Sequence, residues 1–84
     1  MKKIYSNIQK NKLLHIIVKK EDILSQRTDI VEEGEFLQLA TMKLPRGKTF
    51  PPHKHTPCEK ITSITQESWN VVSGRVKAIL YDLD

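Results

Sequence analysis

Short runs of apolar residues, separated by polar turn signals, predict that this chain is built from β-strands. Leu13–Val18 is a run of aliphatic residues broken only by His15, which is typical of a short strand. Phe36–Leu44 places alternate residues on one face and predicts a longer strand, although three of its apolar residues also fit a helical period. A single helical turn is expected at Lys20–Ser25.

The second half of the chain repeats this pattern of strands and turns. Ile61–Thr65 and Trp69–Val72 are strand-like, and Ser73-Gly74 is a tight-turn signal between alternating residues. We therefore expect a β-hairpin over Ser68–Tyr81. Two further turns are predicted by glycine and proline, and they lie at Glu32–Glu35 and Pro45–Lys48.

The length of 84 residues allows one small domain, and many short strands with frequent turns favour a sandwich or a barrel. We expect residues 1–12 to form a loosely ordered basic lead-in and residues 13–84 to form the single domain.

The excess of positive over negative charge lies in the first 20 residues of the chain. The net charge is +4, and residues 1–20 hold six lysines and no acidic residue, while residues 21–84 hold eight basic and ten acidic residues. A nucleic-acid module clusters its basic residues with stacking aromatics or on a recognition helix, and neither pattern occurs here. We therefore expect no nucleic-acid partner.

No membrane span is expected, because the longest apolar run has six residues and a spanning helix needs about 20. The residues after Met1 are too polar for a signal peptide. The single cysteine, Cys58, permits no internal disulfide and fits a reducing compartment, so we expect a cytoplasmic protein.

The candidate chemistry centres on His53-Lys54-His55. Residues two apart in an extended chain point to the same side, so both imidazoles can reach one ion. Proline is frequent around them, with three prolines in residues 49–57, which excludes a helix there. The pair by itself is weak evidence for a metal site, since two histidines in such a loop are usually only solvated.

The spacing around the pair is more specific. Five residues separate Gly47 from His53, and six separate Glu67 from Gly74. With His55, these positions resemble the first motif of the cupin superfamily, which is G-x5-H-x-H-x3,4-E-x6-G. The resemblance extends over residues 36–81, and it implies a cupin-type jelly-roll β-barrel in which His53, His55 and Glu67 are the metal ligands.

The sequence departs from the cupin pattern in two ways. Eleven residues separate His55 from Glu67, where the family has three or four, so we interpret Cys58–Thr65 as an inserted loop at the mouth of the barrel. Glu59 has the short spacing from His55 but lacks the glycine that should follow, and it remains the alternative carboxylate. The second cupin motif, with its fourth ligand, has no counterpart, so we expect a small or incomplete barrel.

A set of two histidines and one carboxylate leaves metal positions open to water or to a chelating substrate. The resemblance implies a divalent ion (zinc, iron, manganese or nickel) and a function on a small polar molecule such as a sugar or nucleotide-sugar. Whether the chain is an enzyme stays open, because the fold hosts both enzymes and binding proteins. The alternative is a non-catalytic binding or assembly module with a vestigial metal site.

A homodimer is the expected partner arrangement. Arg75–Leu83 is an alternating strand whose apolar face a cupin barrel covers with further strands. We expect a second copy to cover this face instead, with Leu13–Val18 taking part, and the fourth metal position to be filled by water, by Cys58 or by the partner.

Overall fold

The computed structural model describes residues 1–83; Asp84, the last residue of the predicted domain, lies outside the described residues. The described chain contains four β-strands and one short 3-10 helix, and residues 1–83 hold no α-helix. This confirms the all-β character. The chain divides into two compact units, the first formed by Met1–Asp22 with Glu67–Asp84 and the second by Ile23–Gln66.

The first unit is built on an antiparallel pair of strands, β1 (Lys2–Tyr5) and β2 (Leu13–Ile17). Lys2 lies opposite Ile17, and the register shifts after Ile4. The strand predicted at Leu13–Val18 is thus confirmed, ending one residue earlier. The expected loosely ordered lead-in, residues 1–12, instead contains a strand, because Lys2–Tyr5 pairs with β2.

A seven-residue loop joins these strands and is closed by its own hydrogen bonds. The amide of Ser6 donates to the carbonyl of Lys12 (2.9 Å), and the amide of Lys12 donates to the carbonyl of Gln9 (3.1 Å). Asn11 takes the left-handed conformation (φ 71°), which asparagine tolerates better than most residues. A 3-10 helix at Lys20–Asp22 follows β2, within the predicted helical turn.

The second unit holds the antiparallel pair β3 (Arg27–Asp29) and β4 (Ala40–Met42). Arg27 lies opposite Met42 and Asp29 opposite Ala40. The amide of Ile30 extends the pairing by donating to the carbonyl of Leu39 (2.9 Å). The predicted strand Phe36–Leu44 is therefore real but confined to its last half, and the helical alternative is excluded.

The predicted turns are present where glycine and proline mark them. The amide of Glu35 donates to the carbonyl of Glu32 (3.1 Å), and the amide of Lys48 donates to the carbonyl of Pro45 (3.2 Å). Gly47 has a φ of 80°, a conformation that a side chain opposes. The chain also bends at Ser73-Gly74, where the φ of Gly74 is 85°.

The predicted hairpin over Ser68–Tyr81 is not formed. Residues 43–83 contain no strand, so Ile61–Thr65 and Trp69–Val72 are also wrong as strands. The described residues instead form two separate two-stranded sheets, and these do not close into a barrel.

Burial is limited in both units. Among residues 1–83, only Ser6 (4% exposed) and Ile30 (6% exposed) are buried, one in each unit. Large apolar side chains stay open to water, with Trp69 74% exposed and Val72 97% exposed. In residues 1–83 there is no helix with the length and apolar character needed to cross a bilayer.

Candidate functional site

The two histidines of the predicted site lie side by side on an exposed, proline-rich segment of the second unit. No strand or helix forms over residues 49–57. The ring centres of His53 and His55 are 5.6 Å apart, and the ring planes are inclined by 49°. The alternation of an extended chain, which proline favours, places them together.

One ring nitrogen of His53 lies near a backbone carbonyl. Its Nδ1 lies 3.4 Å from the carbonyl oxygen of Pro51. Because a carbonyl can only accept, this contact is a hydrogen bond in the neutral tautomer that carries its proton on Nδ1, and that tautomer leaves the lone pair on Nε2. Metal-binding histidines are commonly oriented in this way, by a hydrogen bond from the nitrogen that does not bind the ion.

The spacing of the two rings fits shared coordination of one ion. An imidazole nitrogen binds zinc at about 2.1 Å, so two imidazoles on a tetrahedral ion have ring centres about 5.2 Å apart. The observed 5.6 Å exceeds this by only about 0.4 Å, which small side-chain rotations supply. Both side chains are exposed, so an ion reaches them without an opening motion.

The remaining predicted ligands are also exposed. Cys58 and Glu59 follow the histidines in the second unit, while Glu67 belongs to the first unit. In the part of the chain that the structure describes, no three histidine, cysteine, aspartate or glutamate side chains form a group that could hold a metal ion. The structure thus brings together the two histidines, and the carboxylate ligand stays a prediction.

The segment after the histidines is held at both ends by side chains that the sequence did not single out. The ammonium of Lys60 donates to the carbonyl oxygens of Glu33 (3.2 Å) and Glu35 (2.7 Å). Gln66 accepts from the amide of Leu37 (3.1 Å) and donates to the carboxylate of Glu35. These contacts tie the predicted inserted loop to the Glu32–Glu35 turn.

A second polar cluster lies in the first unit, around Asp82. One carboxylate oxygen accepts from the hydroxyl of Ser6 (2.6 Å) and the other from the amide of Asn7 (2.7 Å). These two bonds favour the ionised form, so they hold the pKa of Asp82 below its usual value. The hydroxyl oxygen of Ser6 also accepts from the amides of Ile8 (3.0 Å) and Gln9 (2.9 Å).

A shallow hollow of about 190 Å³ adjoins this cluster, between the β1–β2 pair and the end of the described chain. Its lining includes Tyr5, His15 and Tyr81, and Nε2 of His15 lies 3.3 Å from the carbonyl oxygen of Tyr81. No sequence signal points to these residues, because His15 and Tyr81 are 66 positions apart and Ser6 and Asp82 are 76 positions apart.

Comparison of the chain with protein-family models, with curated proteins and with solved structures finds no match.

Proposed function

We propose that this chain is a cupin-like protein that binds one divalent metal ion through His53 and His55, with Glu67 as the carboxylate ligand. The observation that carries the proposal is the 5.6 Å separation of the two imidazoles, which is close to the spacing on a shared ion. The hydrogen bond that leaves Nε2 of His53 free supports it.

The donor set determines which ions and ligands are suitable. Two imidazoles and one carboxylate suit zinc, iron, manganese or nickel. A divalent ion held in this way polarises a coordinated oxygen and retains positions for exchangeable ligands. The resemblance to small cupin-like proteins suggests a small polar molecule, such as a sugar or nucleotide-sugar, as the proposed ligand.

The test is calorimetric titration of the metal-free chain with Zn²⁺, supported by elemental analysis after dialysis. We expect one ion per chain. His53→Ala and His55→Ala should each abolish stoichiometric binding, because either change leaves a single imidazole. His15→Ala is the matched control, since it removes an imidazole from the other unit and should leave the stoichiometry unchanged.

The carboxylate is tested by comparing Glu67→Ala with Glu59→Ala. We expect the first to weaken Zn²⁺ binding more than the second. The reverse order would make Glu59 the ligand and exclude our alignment across Cys58–Thr65. Equal loss in the His15→Ala and His53→Ala variants would refute the site.

Acid should also weaken binding. A protonated imidazole has no lone pair for a metal, so we expect affinity for Zn²⁺ to fall below about pH 6. An affinity that stays constant from pH 7.5 to about pH 5 would exclude imidazole ligands. A chain that takes up no ion at saturating Zn²⁺ would instead support the non-catalytic binding module.

A further inference from the structure

The hollow in the first unit has the composition of a small-molecule site. Its volume is about 190 Å³, and every residue that lines it belongs to this unit. Three lining residues are aliphatic, namely Ile4, Leu14 and Leu80, and the others are aromatic or polar. Apolar walls with a few polar groups are typical of sites that bind small molecules. Sites for drug-sized ligands have volumes of about 300–1,000 Å³, so this hollow suits a smaller ligand.

The carboxylate of Asp82 places a negative charge at the hollow. Its oxygens accept from three neutral donors, the hydroxyl of Ser6 (2.6 Å) and the amides of Asn7 (2.7 Å) and Leu83 (2.6 Å). These bonds orient the carboxylate and favour its ionised form, but they bring no positive charge. The ion pairs within residues 1–83 form elsewhere, and none of them includes Asp82. The hollow therefore holds a negative charge without a cationic partner in the part of the chain that the structure describes.

Two tyrosines lie next to this charge and line the same hollow. Tyr81 directly precedes Asp82, and Tyr5 directly precedes Ser6, whose hydroxyl holds the carboxylate. Tyr5 is 49% exposed and Tyr81 is 77% exposed, so a ligand reaches them without an opening motion. The face of an aromatic ring attracts a cation, and quaternary ammonium ions are recognised by several such rings together.

We propose that the hollow binds a small methylated ammonium ion, such as choline, whose charge lies beside Asp82 and whose methyl groups contact the tyrosines and the aliphatic lining. A primary ammonium fits less well, because it brings three N–H donors that need acceptors, whereas the methylated ion needs none. The histidines of the proposed metal site belong to the other unit, so this inference goes beyond that function and does not depend on it.

The test is a titration of the isotope-labelled chain with choline chloride, followed through its backbone amides by nuclear magnetic resonance. Exposed cation–π contacts and ion pairs are individually weak, so the titration extends to about 50 mM. Dimethylbutanol, in which a carbon atom replaces the ammonium nitrogen of choline, is the neutral ligand of matched shape. Sodium chloride at equal concentration controls for ionic strength.

The variants remove one part of the site at a time. Tyr81→Ala removes a ring and Tyr81→Phe retains it, and the exposure of Tyr81 means that neither change opens a core. Asp82→Asn removes the charge. Asp29→Asn is its matched control, because Asp29 is an exposed aspartate of the second unit. Amide exchange of β1 and β2 reports whether each variant keeps the fold of the first unit.

We expect choline to cause saturable shifts in the amides around Tyr5, Asn7 and Tyr81, and dimethylbutanol to bind at least about fivefold more weakly. Tyr81→Ala should weaken choline binding by about two- to fivefold, while Tyr81→Phe should bind as the wild type does. Asp82→Asn should weaken binding by a similar factor, and Asp29→Asn should leave it unchanged.

The proposal is overturned if choline causes no saturable shift by about 50 mM, or if sodium chloride reproduces the shifts. Equal affinity for choline and dimethylbutanol would overturn it as well, because the site would then not recognise charge. If Asp82→Asn loses the protection of β1 and β2, the two Tyr81 variants decide the matter. A folded Tyr81→Ala that binds choline as tightly as the wild type would refute the aromatic contact and with it the site.

Discussion

Ser6 is the residue whose replacement tests the first unit most directly. It is 4% exposed, and its hydroxyl makes three hydrogen bonds: it donates to Asp82 and accepts from the amides of Ile8 and Gln9. The position resembles a helix N-cap, where one side-chain oxygen satisfies successive backbone amides. Ser6→Ala removes the hydroxyl oxygen, so the amides of Ile8 and Gln9 must donate to water instead.

The expected cost follows from that geometry. Loss of a serine oxygen that accepts hydrogen bonds from otherwise unpaired backbone amides costs about 1–2 kcal/mol. A change of this size corresponds to about a 5- to 30-fold shift in a local opening equilibrium. We therefore expect the amide protection of Ile8 and Gln9 to fall by about this factor in Ser6→Ala.

Hydrogen exchange followed by nuclear magnetic resonance measures this effect residue by residue. Ser68→Ala is the matched control, because Ser68 is an exposed serine of the same unit. It should leave both amides unchanged. Equal exchange of Ile8 and Gln9 in the wild type and in Ser6→Ala would show that the hydroxyl does not hold this loop.

Three further predictions concern acid, a turn and a loop. Hydrogen bonding, first from the Ser6 hydroxyl, lowers the pKa of Asp82 in the folded chain below its ordinary value of 3.8. The ionised Asp82 therefore stabilises the fold above pH 3.8, and this stabilisation is lost as the pH falls further, through the lowered pKa. Asp82→Asn should flatten this acid dependence in urea titrations, and an unchanged profile would exclude the role. Gly47→Ala should lower the free energy of unfolding of the second unit by about 1 kcal/mol in urea titrations, because the φ of 80° at Gly47 disfavours any side chain. The cost comes from the backbone alone, since no atom lies within 4 Å of the added carbon. An equally stable variant would refute this. Amides in Cys58–Thr65 should exchange faster than those of β2, and equally slow exchange throughout would contradict a mobile loop.

The contacts that tie down the ends of that loop refine this last expectation. Lys60 and Gln66 donate to Glu35 in the Glu32–Glu35 turn, whereas Thr62 bonds within the loop, to the amide and carbonyl of Ile64. Exchange should therefore be fastest between Ile61 and Thr65. The predicted mobility belongs to the middle of the segment, because its ends carry the long-range bonds.

Features that depend on a few neighbouring residues could be predicted from the sequence. The turns at Pro45–Lys48 and Ser73-Gly74 follow from the backbone preferences of proline and glycine, which act within four residues. The proximity of His53 and His55 follows from alternation along an extended segment. Leu13–Ile17 is a strand because its aliphatic side chains fit a pleated, half-buried surface.

Features that depend on distant residues were decided by the tertiary structure. Lys2–Tyr5 has little strand character of its own and becomes β1 because β2 offers it a paired edge. Ser6 meets Asp82 across 76 positions, and Lys60 meets Glu35 across 25, through loop closures that leave no local pattern. The segment Ser68–Tyr81 has the pattern of a hairpin, yet residues 43–83 contain no strand, because strand pairing depends on the neighbours that a segment meets in the fold and not on its own alternation alone.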